Sequence, residues 1–310
     1  MSKKRIIFMG TPTISSIYLE FLIKDQHNII AVYSQPPRKK GRGMQIVQSP
    51  VHDIAKKNLL QIFTPNNLNT NEEKEKIESL KPDLIIVMGY GLKLPKYILD
   101  LPSFGCINIH VSLLPRWRGA APIEHTLLNG DKETGVTIFK IVEEMDAGPI
   151  VAKKSITIDS IINKEELTNE LNTCGVMLLR EILPNIFNKN TIYEVQNKDD
   201  ITYAKKITSQ MRQINFFEET ESIQNKIRAF APSPSAWFFY KGERIKIIKS
   251  HFIKGNWQPS VILNKNFHIG CKLGKICPEV IQREGKNPMD LNSFLRGFKF
   301  EIGSLVNEQI

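Results

Sequence analysis

Two hydrophobic periods alternate along the first half of the chain. Short apolar runs at "KRIIFMG", "NIIAVYSQ", "LQIFTP", "DLIIVMGYG", "CINIHVS" and "TGVTIFKIV" are bounded by Gly, Pro, Asn or Ser and read as strands. Between them lie segments with apolar positions three and four apart: "ISSIYLEFLIK", "SPVHDIAKKN", "NEEKEKIESLKPD" and the stretch around "PIEHTLLNG". Ser49 followed by Pro50 predicts a capped helix start, because the hydroxyl accepts from a free amide and the proline needs no donor. The run "DLIIVMGYG" shows no alternation, as expected of a strand covered on both faces. This βαβα order predicts an α/β domain with a doubly wound, mostly parallel, Rossmann-like sheet.

The second half follows a different rhythm. "PIVAKKSITI" reads as a strand, and "KEELTNELNTCGVMLLREILPNIF" as an amphipathic helix with Leu167, Leu171, Leu178 and Ile182 near one face. A polar stretch rich in Asn, Asp and Lys follows and predicts a linker over 189–206, separating domains over 1–188 and 207–310. Beyond it, one helix, "TESIQNKIRAF", precedes short strand-like pieces at "AWFFY", "ERIKIIKSHF", "VILNKN", "FHIGCK", "KICPEVIQ" and "FLRGFKF". Such pieces between Gly, Pro and Asn turns predict a small C-terminal β-barrel, the OB-fold being one option. No internal repeat is present.

Composition narrows the picture. Hydrophobic residues make up 41% of 310, enough for packed cores. No apolar run reaches membrane-helix length, and "RIIFMGTP" is too short for a signal segment. The four cysteines, Cys106, Cys174, Cys271 and Cys277, form no CxxC pair, and the six histidines show no ligand spacing. Reduced thiols in a cytoplasmic protein without a metal are expected. The formal charge is +10, and from Lys206 to Ile310 sixteen Lys and Arg stand against nine Asp and Glu. A surplus of seven fits either a solvated Lys-rich surface or a face that binds a polyanion. The usual nucleotide motifs are missing: Gly10 is followed by "TPTISS" rather than GxGxxG, and there is no GxxxxGK[ST].

The candidate chemistry lies in "CINIHVSLLPRWRGAAPIEH". On a strand, Asn108 and His110 share one face, while Ile107, Ile109 and Val111 share the other. The loop from Ser112 places the pair near the carboxyl end of the strand, the functional edge of an open α/β sheet. A lone strand histidine is more often structural than catalytic. Asp146, in the Gly148–Pro149 turn of "EEMDAGPI", is expected to cross the same edge. An amide, an imidazole and a carboxylate together can stabilise an oxyanion and move a proton. GxSxG is absent and Cys106 lies two positions deeper on the strand, which points to direct attack on a bound carbonyl without a covalent intermediate.

The stretches "NIHVSLLPRWRGAAPI" and "MDAGPI" resemble the two signatures of the formyltransferases that use 10-formyltetrahydrofolate. The resemblance extends over nearly the whole chain, through "FMGTP", "RKKGRG" with "SPV", "KPDLIIVMGYG", "TYAKKI", "IRAFAPSPSAW" and "LRGF". It implies catalytic roles for Asn108, His110 and Asp146. It implies folate contacts from Ser112, Leu113, Leu114 and Pro115 and from the segment Met88, Gly89 and Tyr90. The branch with a C-terminal domain implies initiator methionyl-tRNA as acceptor, held by Arg38, Lys39, Lys40 and Arg42 in the loop 36–44, by Lys206, and by the basic C-terminal domain. A monomer that needs no metal and no protein partner is expected. The chain departs from the family pattern at Thr13 and Ile14 after "GTP", in "PPRKKGRGM", and at "INF" over 214–216. A formyltransferase acting on a ribonucleotide or amino sugar, and a non-catalytic RNA-binding relative, are the competing readings.

Overall fold

A computed structural model describes residues 3–40 and 44–307. Strand Arg5–Gly10 (β1), helix Thr13–Lys24 (α1) and strand Asn28–Tyr33 (β2) open the chain, followed by an antiparallel ribbon of Arg38–Lys40 (β3) and Gln45–Val47 (β4). Helix Pro50–Lys57 (α2) leads to Ile62–Phe63 (β5), helix Asn71–Ser79 (α3) to Leu84–Met88 (β6), and helix Lys96–Asp100 (α4) to Cys106–His110 (β7). Arg118–Gly119 (β8), helix Pro122–Asn129 (α5), Glu133–Lys140 (β9), Ile150–Thr157 (β10) and the long helix Lys164–Phe187 (α6) follow. The strand Tyr203–Ala204 (β11) and helix Thr220–Phe230 (α7) lead to Ala236–Tyr240 (β12), Glu243–Lys254 (β13), Ile269–Cys271 (β14), Gly274–Arg283 (β15), Met289–Asp290 (β16) and helix Leu291–Gly297 (α8).

The chain divides into two compact units. One comprises the residues up to Gly119, Thr134–Ile156 and Glu170–Tyr203; the other comprises Ala120–Glu133, Thr157–Asn169 and the residues from Ala204 onward. In the first, seven strands run in the order β10-β9-β7-β6-β1-β2-β5. The pairs β1–β2, β1–β6, β2–β5 and β6–β7 are parallel, as a βαβ pattern requires. β9 runs antiparallel to β7, so the sheet is mostly parallel with an antiparallel margin. β6 is buried along its whole length, because helices cover both faces of such a sheet and only apolar side chains fit there. Ser49 caps α2 as its sequence predicts, accepting from His52 N at 3.0 Å.

The second unit holds a five-stranded antiparallel sheet, β12-β13-β15-β14 with β16 on β15. Two of the strand-like pieces take other forms. "VILNKN" contributes only isolated bridges, Val261 to Leu305 and Ile262 to Ile269. "FLRGFKF" begins in α8, because Asp290 accepts from Ser293 N at 3.0 Å and caps a helix. One helical turn then turns Phe294 inward, where it is 1% exposed. The core of this unit centres on Phe267, whose ring contacts those of Phe238, Tyr240, Phe294, Phe298 and Phe300. No helix among the described residues is long and apolar enough to cross a membrane.

Phe267→Ala is expected to lower stability by about 3–5 kcal/mol, since five rings then line the cavity it leaves. Chemical unfolding followed by tryptophan fluorescence reads the change. An unshifted midpoint would remove Phe267 from the centre of this core.

Candidate active site

Register fixes where the candidate residues lie. Gly10 pairs with Met88, and Val87 with Asn108, so the carboxyl ends of β1, β6 and β7 meet at one edge. On its other side β7 pairs Asn108 with Phe139 and His110 with Thr137 of β9. Ile107 and Ile109 are each 2% exposed and face the hydrophobic layer, as strand alternation predicts. Asn108 is half-buried, and its side-chain amide has no hydrogen-bond partner among the described residues. It therefore keeps two donors for a bound group. Cys106 is buried, its thiol pushed up to about 12 by burial, with Sγ pointed at Ile98 O. It is no nucleophile at neutral pH.

His110 is nearly enclosed, and its Nε2 lies 2.9 Å from the carbonyl of Trp117. A carbonyl only accepts, so Nε2 carries the proton and Nδ1 is left to hold or release one. The ring meets Phe139 edge-on at 6.5 Å. Asp146 is not hydrogen-bonded to His110 among the described residues. Its Oδ2 accepts from Gly119 N at 2.8 Å, two residues beyond Trp117. The carboxylate thus braces the segment that supplies the partner of His110. Backbone geometry explains why the link runs this way. Asp146 and Trp117 both sit in the left-handed region, at φ 52° and 61°, which costs non-glycine residues about 1–3 kcal/mol unless neighbours hold them.

The loop after β7 is pinned from within. Ser112 Oγ donates to Arg116 O at 2.6 Å, and Thr137 Oγ1 donates to Ser112 O while accepting from Leu114 N. Ser112 and Leu114 are therefore buried in the loop's own scaffold, Leu114 against Phe139 and Ile150. Leu113 and Pro115 are half-buried. Met88 and Tyr90 turn into the core, where burial raises the Tyr90 phenol, while Gly89 takes φ 57° beside Pro12 and Ser15. Gly89 therefore contributes backbone rather than a side chain to this edge.

Three residues outside the predicted set complete the constellation. Arg118, 3% exposed, donates to Glu144 Oε1 at 3.1 Å and twice to Gln196 Oε1, at 3.1 and 2.8 Å. Gln196 in turn donates to the carbonyls of Asp146 and Gly148, both at 2.8 Å. Thr202 accepts from Trp117 N through its hydroxyl and from Arg118 N through its carbonyl. Arg118 lies inside the resembling signature. Gln196 and Thr202 lie in the stretch read as a linker, where a polar residue in a polar segment gives no signal.

Of the predicted acceptor-binding residues, Arg38 and Lys39 are exposed on β3, shortly beyond the carboxyl end of β2, and Arg38 donates to Gln35 Oε1 at 2.8 Å. The loop anticipated over 36–44 is thus partly a ribbon, and Lys40 pairs with Gln45 in it. Arg42 lies outside the described residues. Lys206 is exposed. Among the described residues, no group of three His, Cys, Asp or Glu is placed to hold a metal ion.

The fold and this edge define an α/β group-transfer enzyme carrying an additional β domain. More narrowly, the chain belongs to the formyl transferase family: the model "Formyl transferase" matches residues 4–183, and "Formyl transferase, C-terminal domain" matches 206–299. It is similar to the methionyl-tRNA formyltransferase of Ehrlichia chaffeensis, 40% identical over 97% of this chain and 99% of that protein. The protein of the same name from Wolbachia pipientis of Culex pipiens is 41% identical over 96% of this chain and 98% of its own. Among solved structures, HypX from Aquifex aeolicus in complex with tetrahydrofolic acid shares the fold at 17% identity, with a TM-score of 0.67. That match covers 99% of this chain and about half, 51%, of HypX.

Gly148 tests the loop architecture. A Cβ there would lie 1.7 Å from Lys140 O, so Gly148→Ala must displace backbone. We expect a lowered thermal midpoint and new proteolytic cleavage within 141–149. Parent-like resistance to protease would show that the loop is not held against β9.

Proposed function

We propose that this protein transfers the formyl group of 10-formyltetrahydrofolate to the amino group of initiator methionyl-tRNA, for translation initiation. The observation that carries the reading is identity of about 40% along nearly the whole chain to proteins named for that reaction. Asn108 and His110 at the strand end supply the matching chemistry.

In this reading the neutral amine attacks the formyl carbon directly, and the carbonyl electrons move to oxygen. The Asn108 amide donates to that oxyanion. His110 has Nε2–H committed to Trp117, so Nδ1 is its working atom. In the imidazolium form Nδ1–H donates to the oxyanion and then passes its proton to the departing folate nitrogen. The proton released by the new N–formyl group restores the imidazolium. Asp146 acts on this exchange through Gly119 and Trp117. Leu113 and Pro115 are the members of the 112–115 stretch with surface left for the folate, and Gly89 offers its backbone to the pterin. Arg38, Lys39, Lys40, Arg42 and Lys206 meet RNA phosphates, as does the basic C-terminal part. The reaction belongs to the cytoplasm, and the chain acts as a monomer.

Transfer of labelled formyl from 10-formyltetrahydrofolate to methionyl-tRNA is the direct test. Transfer to an amino sugar or a ribonucleotide amine, with charged tRNA inert, would replace the proposed acceptor. Asn108→Ala and His110→Ala should each lower kcat/KM at least ~10²-fold with folding retained. Near-parent turnover in either folded variant would remove it from the oxyanion site.

The double substitution Arg38→Ala with Lys39→Ala addresses the ribbon. Loss of two phosphate contacts should weaken tRNA binding and flatten the slope of log affinity against log salt by about 1–2. An unchanged slope would leave the ribbon as solvated surface.

A further inference from the structure

We propose that Gln196 and Thr202 are positioning residues for formyl transfer, acting through the loop of Asp146 and the carbonyl of Trp117. The inference rests on the site reading above and adds a third segment to it. Gln196 is 6% exposed and uses every bonding position of its amide: two donors to Asp146 O and Gly148 O, two acceptances from Arg118. Only a neutral amide does this. A carboxylate would keep Arg118 but oppose two carbonyl oxygens, and an alkyl chain would leave a buried guanidinium with Glu144 alone. Thr202 acts directly on the Trp117 peptide. By holding Trp117 N at 2.8 Å and Arg118 N at 2.9 Å it fixes the peptide whose carbonyl receives His110 Nε2–H.

The segment bearing both residues is itself anchored. Ile150 and Glu194 exchange backbone hydrogen bonds at 2.7 and 2.9 Å, and Glu194 pairs with Lys153 at 2.8 Å. Gln196 therefore enters from a fixed strand-like register. Its amide ties the 144–148 loop to Arg118, and Asp146 ties that loop to Gly119. Two ties from one loop close on the same short peptide, 117–119, that orients the imidazole. A displacement of about 1 Å in such a support can cost up to 10²-fold in rate without touching substrate.

The test uses the full chain with 10-formyltetrahydrofolate and methionyl-tRNA. Gln196→Glu should lower kcat about 10–100-fold while KM for both substrates stays within about twofold, because the residue touches neither. Thr202→Val should show the same split, and it carries the test alone if Gln196→Glu does not fold. The double variant Asp146→Asn with Gln196→Glu should lose little more than Asp146→Asn alone, since both act through one loop. Multiplicative losses, a fall confined to KM, or parent kcat in folded Gln196→Glu or Thr202→Val would overturn the proposal. Parent activity in His110→Ala would instead indict the site itself, so the two failures are distinguishable.

Discussion

The contact on which the site depends is the hydrogen bond from His110 Nε2 to the carbonyl of Trp117. It settles the tautomer, because the acceptor has no proton to give, and it fixes which ring nitrogen is free to exchange one. A bond to a backbone carbonyl is only as well placed as that peptide. Trp117 holds an unfavourable left-handed conformation, so the peptide stays put only through external ties. Those ties come from far along the chain: Asp146 on Gly119, and Thr202 on Trp117 and Arg118. The sheet supplies the other half of the geometry. Thr137 pairs with His110 on β9 and clasps the loop on both sides of Leu113, so strand and loop share one anchor.

Periodicity made most of the first unit readable. β6 is apolar throughout because both its faces are covered, and Asn108 and His110 face one way because a strand alternates every residue. Those are local rules, and a single sequence carries them. The route by which Asp146 can support His110 is non-local and is not legible in the sequence. Both lie at the expected edge, but the carboxylate's reach is spent on Gly119 N, a partner set by the left-handed turn at Asp146. The strand-like piece "FLRGFKF" begins inside α8 instead. Asp290, outside that window, caps the helix and decides the matter. Gln196 was illegible for a related reason. In a run of Asn, Asp and Lys it looks solvated, and only its pairing with Arg118 and two carbonyls across tens of residues makes it a core residue.

Charge and chemistry are handled by different parts of the sequence. Close to the His110 support, the Arg118 guanidinium is buried and held by Glu144 and the Gln196 amide, so it is not among the donors left for a developing oxyanion. In the second unit the acids are mostly spent. Glu218, Glu219, Glu221, Glu243, Glu279 and Glu301 each pair with a Lys or Arg of that unit. Lys206, Lys246, Lys265, Lys286 and Lys299 make no ion pair among the described residues. The surplus of positive charge is therefore not cancelled locally but carried outward by flexible side chains. Such charges exchange condensed counterions for phosphates with little demand on geometry. For the polyanionic acceptor proposed here, affinity can come from this diffuse field while rate comes from a few rigidly held groups. The two requirements then do not compete for the same residues.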